Sequence, residues 1–584
     1  MSGYIIPDSV AKGDFEFFKK SLDDLKSGKI SKDDFKGIRV PFGVYEQRER
    51  ETYMVRVKTY AGEIEPKQLS ILADYADKYA NNQLHITTRG GIQLHYTKLD
   101  DLCEILENLH SIGLTSRGGG GATVRNINAD ILSNVASDCI FDVIPYANAL
   151  TSKMLGLKDS FHLPKKFKFA FSASSADRAM ATITDVGFIA KIKDGARGFE
   201  VWVAGGMGAK PLLGFKLMDF LPESDLFILA QAAKQIYDKY GDRERKARAR
   251  FRFVAEKFGE AELSKMIFDE MKIVREKFDC ALDIKPSPEL PELKGADLEI
   301  PKMNKEQELW WNRFVIAQIQ KGYYCAKVPL KLGDLKAIHA RELAKRLESI
   351  GNHSLFFAPN QNMYLRNLSA KNLLGLYDTI LEISPQSHKP TIIGDMVACT
   401  GAATCQLGIA RPRGAVAKIE EYLENKGLNL DALQGFKIQL SGCPNSCANH
   451  FTANIGFFGK SKRKGDYTYP AYNIVIGGIV SANKDKKSRF AKKVADISAY
   501  HLPEFIYLVL AKYIEQKPKY PLFEDYVDSI GEAEIVAIAE SLQEIPDFSE
   551  NTAPYYDYTS DKLFGETSKE RGIGEEHFKE VKPN

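Results

Sequence analysis

The sequence predicts an α+β protein made by internal duplication, with two half-domains forming one pseudo-twofold unit and two larger, related α/β domains. Two observations carry this. Residues 53–109, "YMVRVKTYAGEIEPKQLSILADYADKY…LHITTRGGIQLHYTKLDDLCEILENL", keep the order of features found in 323–380, "YYCAKVPLKLGDLKAIHARELAKRLESI…LFFAPNQNMYLRNLSAKNLLGLYDTI". Further along, "KKFKFAFSAS" (165–174) aligns with "QGFKIQLSGC" (434–443), and 185–211 aligns with 454–483. Chance does not keep separate blocks in one order through both halves, and a repeat has to be settled before any fold is assigned.

Each segment has its reason. Residues 1–50 read as an N-terminal arm. Residues 51–112 read as a strand, a helix with apolar residues at three-to-four spacing, two short alternating strands and a second amphipathic helix. That order suits half of a ferredoxin-like sandwich, and 322–385 supply the other half. Residues 113–260 and 386–500 are the two α/β domains, each with β-branched strands ending in a Gly-Gly loop. Between the copies, 261–321 are charged, helical-looking and proline-punctuated ("IKPSPELPELKGADLEIPK"), which predicts a linker. Residues 501–584 form a helical extension and a tail; beyond 550 the weak periodicity predicts chain extended over the surface or partly disordered.

The whole chain excludes several classes. Its 584 residues suffice for about four units of ordinary size. Lys and Arg number 80 against 77 Asp and Glu, a net +3, so no global field points to nucleic acid. The basic runs "RERKARARFR" (243–252) and "KRK" (462–464) read as solvated faces, the first also suited to docking an acidic donor. No stretch approaches the roughly 18 apolar residues of a membrane span, and the first twenty or so residues lack a signal-peptide core. A cytoplasmic protein with no membrane partner is expected, its cysteines reduced. Cys103, Cys139, Cys280 and Cys325 stand singly and read as buried small hydrophobes.

The other four cysteines are grouped. "ACTGAATC" places Cys399 and Cys405 among small residues that let a backbone approach a bulky inorganic group. "SGCPNSC" places Cys443 and Cys447 after a glycine, with Pro444 suited to open a helix that would set both thiols on one face. Spacing alone leaves structural zinc and an iron–sulfur cluster both open. The first copy has cations instead: Arg89 at the turn of "HITTRGGIQLHYT", Arg125 after the glycine run of "GGGGATVRNINAD", and Lys165, Lys166 and Lys168 in "HLPKKFKFAFSAS". Lys166 and Lys168 lie two apart and share a strand face, which suits an anion site or the solvated mouth of a strand. The glycine run is a weak phosphate-loop signal, lacking the rest of that motif.

In order, "TTR…IQLH", "VRN", "LPKKFK", C-x₅-C and C-x₃-C resemble the sulfite and nitrite reductases that carry sirohaem coupled to a [4Fe–4S] cluster. "GIRVPFGVYEQRE" (37–49) is similar to that family's N-terminal segment, and the resemblance covers roughly residues 37–485. It implies that the α/β domains bind sirohaem and cluster, with Cys399, Cys405, Cys443 and Cys447 as metal ligands and Cys447 shared with the sirohaem iron. It implies that Arg89, Arg125, Lys166 and Lys168 line the open face of that iron, arginine holding the oxyanion and clustered lysines giving protons. Sirohaem carboxylates would be met by Arg56, Gln93, Arg117, Asn126, the Gly205–Gly206 amides, Asn360, Gln361 and Asn445. The three histidines His85, His95 and His450 need no ligand role.

One departure stands out: Gly90 occupies the place where the family usually has glutamine. Lysine at 168, where nitrite reducers commonly have asparagine, favours six-electron reduction of sulfite to sulfide, with nitrite reduction to ammonia as the alternative. A non-catalytic four-cysteine electron-transfer or zinc protein is the rival class; the cation group argues against it. No nicotinamide fingerprint, flavin domain or C-x₂-C-x₂-C-x₃-C run is present, so electrons are expected from a separate protein, ferredoxin or a flavoprotein.

Overall fold

The computed structural model describes residues 3–351, 355–483 and 485–569. One antiparallel sheet runs Val44–Glu46, Tyr53–Val57, Ile92–Thr97, Gln83–Ile86 and ends on Asp334–Lys336, a strand of the second copy. Its counterpart runs Val315–Ala317, Tyr323–Val328, Met363–Ser369, Leu355–Phe357 and ends on Glu63–Ile64 of the first copy. Each half-domain therefore lends one short strand to the other, and the two ferredoxin-like halves close into a single unit. Alternation sorts the faces. Val55, Val57, Ile92 and Leu94 enter the core, while Arg56, Gln93 and His85 line up across three neighbouring strands on the other face. Helices Pro66–Tyr79 and Ala337–Ser349 cover the apolar side, burying Leu69, Leu72, Leu343 and Leu347 in one core, and Arg341 ties them through Asp74 and Asp77.

The two α/β domains are copies in detail. One sheet comprises Asn128–Ala129, Phe169–Ser172, Val186–Lys193, Ala196–Val203 and Phe215–Pro222; the other Val397–Ala398, Ile438–Ser441, Ile455–Lys464, Tyr467–Ile476 and Lys492–Ser498. In both, the first two pairings are parallel and the rest antiparallel. Asn128 faces Ala170 as Val397 faces Gln439, so the aligned repeats are also equivalent in register. The central strands Phe169–Ser172 and Ile438–Ser441 are buried throughout, as parallel strands covered on both faces require.

Three expected boundaries are corrected. Residues 1–50 are no loose arm: helices Phe15–Lys26 and Lys32–Arg39, the latter closed by a Ser31/Asp34 capping box, bury Phe15, Phe18, Leu22 and Phe35 in the half-domain core. The expected linker is largely structured. Helix Glu260–Lys277 buries Leu263, Ile267, Met271 and Val274 in the core of the first α/β domain. Helix Lys305–Phe314 is capped by Asn304, and Val315–Ala317 is an edge strand, so irregular chain is confined to the stretch between the two helices. A domain end at 500 is also too early, since Leu502–Gln516 and Ile535 belong to the same core as Ile438 and Leu440.

Beyond 545 the chain is a strap instead of free tail. Phe548 stacks on Tyr467 with ring centres 3.8 Å apart, and Tyr555 is buried beside Tyr469. Asp557 Oδ2 accepts from the Arg411 amide at 2.9 Å, and Phe564 is buried with Ile409 and Cys443. Helix Pro412–Glu424 lies so close that a Cβ on Gly414 would stand 2.6 Å from that of Tyr558. The part of the expected tail from 570 onward lies outside the described residues.

Candidate active site

Strands Val397–Ala398 and Ile438–Ser441 run side by side into the two cysteine loops. The Cys399 amide donates to Leu440 O at 3.2 Å, and the Gly442 amide donates to Cys399 Sγ at 3.1 Å, which locks one loop against the other. Pro444 opens no helix: residues 442–449 are successive turns, with Ser446 and Asn449 at positive φ. Burial pushes the thiols of Cys399, Cys405 and Cys443 up, and nearby Cys447 adds to this in each case. Cys447 itself is exposed. Among the described residues no three metal-ligating side chains converge as for a single ion. Three buried thiols that are costly to ionise alone, with a fourth close enough to act on each, suit a larger group that brings its own positive charge, as iron–sulfur centres do.

Across from the thiols lies the turn 87–91, where Thr88 Oγ1 donates to Cys447 O at 2.8 Å. Gly90 has φ +63, and a Cβ there would lie 2.6 Å from Phe357 O of the other half-domain. The close approach of the two copies therefore excludes a larger residue, glutamine included. Arg89 Nη2 donates to Asn126 O at 2.6 Å and to Phe169 O at 3.3 Å, with Nε buried and unpartnered. Arg125 Nη1 donates to Gly119 O and Nη2 to Tyr45 Oη at 3.3 Å, again leaving Nε unpartnered. Lys166 falls to about 7 through burial and the charge of Arg250. Lys168 is held well below its ordinary value by burial, then by Arg89 and Lys166. The four cations thus act on one another.

The sequence missed several members of this group. Lys58, two residues beyond Arg56, is buried and lowered to about 7 by burial, then by Arg125, Arg117 and Arg89. Its signal was an R-x-K alternation like the K-x-K of 166–168. Arg250 and Arg252, read as solvated, are buried, and Arg250 acts on Lys166. Arg250 Nη2 donates to both oxygens of buried Asp185, whose Oδ2 also accepts from the Lys168 amide. Arg252 lies against Gly206 with Nε and Nη1 unpartnered, and burial then Arg250 lower it to about 10.

Other expected carboxylate contacts divide. Arg56 donates to Gly119 O at 2.8 Å and lies over the Tyr45 ring; with its amide oxygen turned toward Arg56, Gln93 accepts from it at 2.8 Å. Asn126 keeps Oδ1 buried and unpartnered, and Asn445 hydrogen-bonds Cys443. Arg117 is instead committed to Asp14 at 2.5 Å and packed over Phe161 and Phe42, fastening the N-terminal helices. The Gly205 and Gly206 amides are already spent on Thr184 O and Leu212 O. Asn360 holds Tyr364 Oη, and Gln361 donates to Ile86 O across the two half-domains. The histidines are occupied locally: His85 by Asp334, His95 by Gln93, His450 by Ser441.

What faces Cys447 is therefore a group of lysines and arginines largely withdrawn from solvent, in which Arg89, Arg125, Arg250 and Arg252 keep buried nitrogens without acceptors, a cradle fitted to a polyanion. Comparison with known proteins decides the family. The family model described as "Nitrite and sulphite reductase 4Fe-4S domain" matches residues 120–274 and 392–545, and the "Nitrite/Sulfite reductase ferredoxin-like half domain" matches 45–112 and 316–383. The chain belongs to the nitrite and sulphite reductase family. It is accordingly an oxidoreductase with sirohaem and a [4Fe–4S] cluster as cofactors. It is 26% identical to the assimilatory ferredoxin-dependent nitrite reductase of Haloferax mediterranei over 88% of each chain. It is 25% identical to the NADPH sulfite reductase hemoprotein beta-component of Staphylococcus carnosus, over 88% of this chain and 93% of that one. The Mycobacterium tuberculosis NirA protein has the same fold, with a TM-score of 0.74 at 20% identity, covering 90% of this chain and 96% of that one. Among the described residues no helix is long and apolar enough to cross a membrane.

Proposed function

We propose that this chain is a sulfite reductase, carrying out the six-electron reduction of sulfite to sulfide with electrons from a separate protein, a ferredoxin or a flavoprotein. The observation that carries the choice is Lys168. It sits buried beside Lys166 and Arg89, where a further cation offsets the second negative charge of sulfite. Cys399, Cys405, Cys443 and Cys447 would hold the cluster, and Cys447 would also serve the sirohaem. Arg56, Lys58, Arg250 and Arg252 meet sirohaem carboxylates. When bound, the two cofactors supply the electrons and the iron at which the oxyanion is reduced.

The protein's own residues do the rest. Arg89 and Arg125 fix the anion. Lys166 and Lys168, lowered by burial and by their neighbours, give up protons readily as each oxygen leaves as water. Nitrite reduction uses the same parts, and relatives of both kinds are similar to this chain. The test is Lys168→Asn, which keeps a donor and removes the charge. The ratio of kcat/KM for sulfite to that for nitrite should fall about tenfold or more, the worth of one charge-assisted contact. An unchanged ratio returns nitrite to equal standing.

A further inference from the structure

Tyr45 is a phenol set inside the cation group, and no site role has yet been given to it. It lies on strand Val44–Glu46, next to Tyr53–Val57, so its ring meets Arg56 at 5.5 Å. Its Oη accepts from the Gly121 amide at 2.9 Å and from Arg125 Nη2 at 3.3 Å. Both bonds use oxygen lone pairs. Among the described residues no acceptor receives the phenolic hydrogen, although the hydroxyl is nearly enclosed by protein. A hydroxyl that accepts from an amide and a guanidinium, yet donates to nothing, is oriented to donate to a ligand lying against that guanidinium.

We propose that Tyr45 is a proton donor of the reduction, delivering its phenolic hydrogen to the substrate oxygen bound at Arg125. In that step the Tyr45 O–H bond breaks and an O–H bond forms on the departing oxygen. The phenol's bonding pair stays on its own oxygen and the new bond is made with a lone pair of the departing oxygen, so Tyr45 gives a proton only; the electrons that release that oxygen come from the separate donor protein. The phenolate left behind is held by Arg125, Arg56 and the Gly121 amide until solvent returns a proton. Burial alone would push this phenol up, but Arg125 and Arg56, with the Gly121 amide, outweigh it and hold it below tyrosine's ordinary value. The charged groups facing it are Arg125 from the glycine run, Arg56 from the neighbouring strand, and Arg39, itself paired with Glu46. Among the described residues no carboxylate is among the causes of the shift to reverse that sign. The lysines then serve as a second proton source.

The proposal rests on the reading of the chain as an oxyanion reductase, but not on which oxyanion. The experiment uses holoenzyme with a photoreduced viologen as donor, and follows sulfite and nitrite separately. In Tyr45→Phe, with both cofactors verified by the visible spectrum, kcat should fall about hundredfold for whichever anion the wild type reduces, KM changing little. Replacing Tyr45 by a more acidic fluorotyrosine should restore turnover and move the alkaline limb of the pH–rate profile to lower pH. The proposal is overturned by Tyr45→Phe with wild-type kcat. It is overturned equally by a raised KM with unchanged kcat, which would make Tyr45 only a brace for Arg125, or by a fluorotyrosine enzyme whose pH profile does not move. A loss with nitrite alone would decide the substrate against sulfite while leaving the role of Tyr45 standing.

Discussion

Asp185→Asn isolates a single charge, and the protein contains its own control. Asp185 is fully buried; it accepts from the Lys168 amide at 3.1 Å and from Arg250 Nη2 at 2.8 and 3.0 Å. At the equivalent place in the second copy stands Asn454, whose Oδ1 accepts from the Lys437 amide at 2.8 Å. Asparagine therefore performs the backbone task in this same fold, and the substitution removes only the negative charge. What remains is buried Arg250 without its partner, beside Arg252, Lys166 and Lys168. Removing one member of a buried pair costs about 3–5 kcal/mol, most of it the isolation of the surviving charge. Apoprotein unfolded in urea should lose about that much. Holoenzyme should lose clearly less if, as proposed above, sirohaem carboxylates offer Arg250 another anion. Asp185 also supports the charged form of Lys168, so its removal lowers that lysine further and the high-pH loss of sulfite turnover begins at lower pH. A loss below about 1 kcal/mol in apoprotein, or equal losses in both forms, would refute the account of Asp185 as the counter-charge of this group.

Two further outcomes are expected. Cys447→Ser should bring turnover to background and remove the visible signature of a coupled cluster and sirohaem, while Cys103→Ser retains both; spectra and activity of the two purified variants check this. Lys58 and Lys166, at about 7 in the protein alone, must each take up a proton when an anionic group restores their charge. Sirohaem affinity of the apoprotein should therefore weaken above neutral pH, by up to about tenfold per pH unit for each lysine, and titrations at about pH 6 and about pH 9 should differ accordingly.

The duplication was legible because strand and helix periods are local and the repeat preserves their order. The cysteine motif was legible because its residues lie close in sequence. The lent strands were not: Glu63–Ile64 and Asp334–Lys336 are too short to show a period, and the sheet each extends belongs to the other copy. Arg117 was misread because its partner Asp14 lies on a distant helix, and Arg250 because "RARFR" gives no sign that two of its arginines are buried. The Gly205–Gly206 amides looked available because the residues that take them, Thr184 and Leu212, flank the loop only after folding. Side-chain burial and pairing are properties of the assembled fold, and a run of charges reads alike in either setting.

The strap that carries Asp557 and Phe564 has a consequence in time. It leaves the ribosome long after the cysteine loops, of which it covers Cys443. Until it arrives, Cys443 lacks its Phe564 cover, and the chain around Arg411 lacks its Asp557 anchor. The nascent protein thus passes through an interval in which the thiols are already placed by their two parallel strands but are still approachable from the side later sealed. A cluster inserted then would be closed in by the completion of its own polypeptide, and the chronology of synthesis would act as a latch.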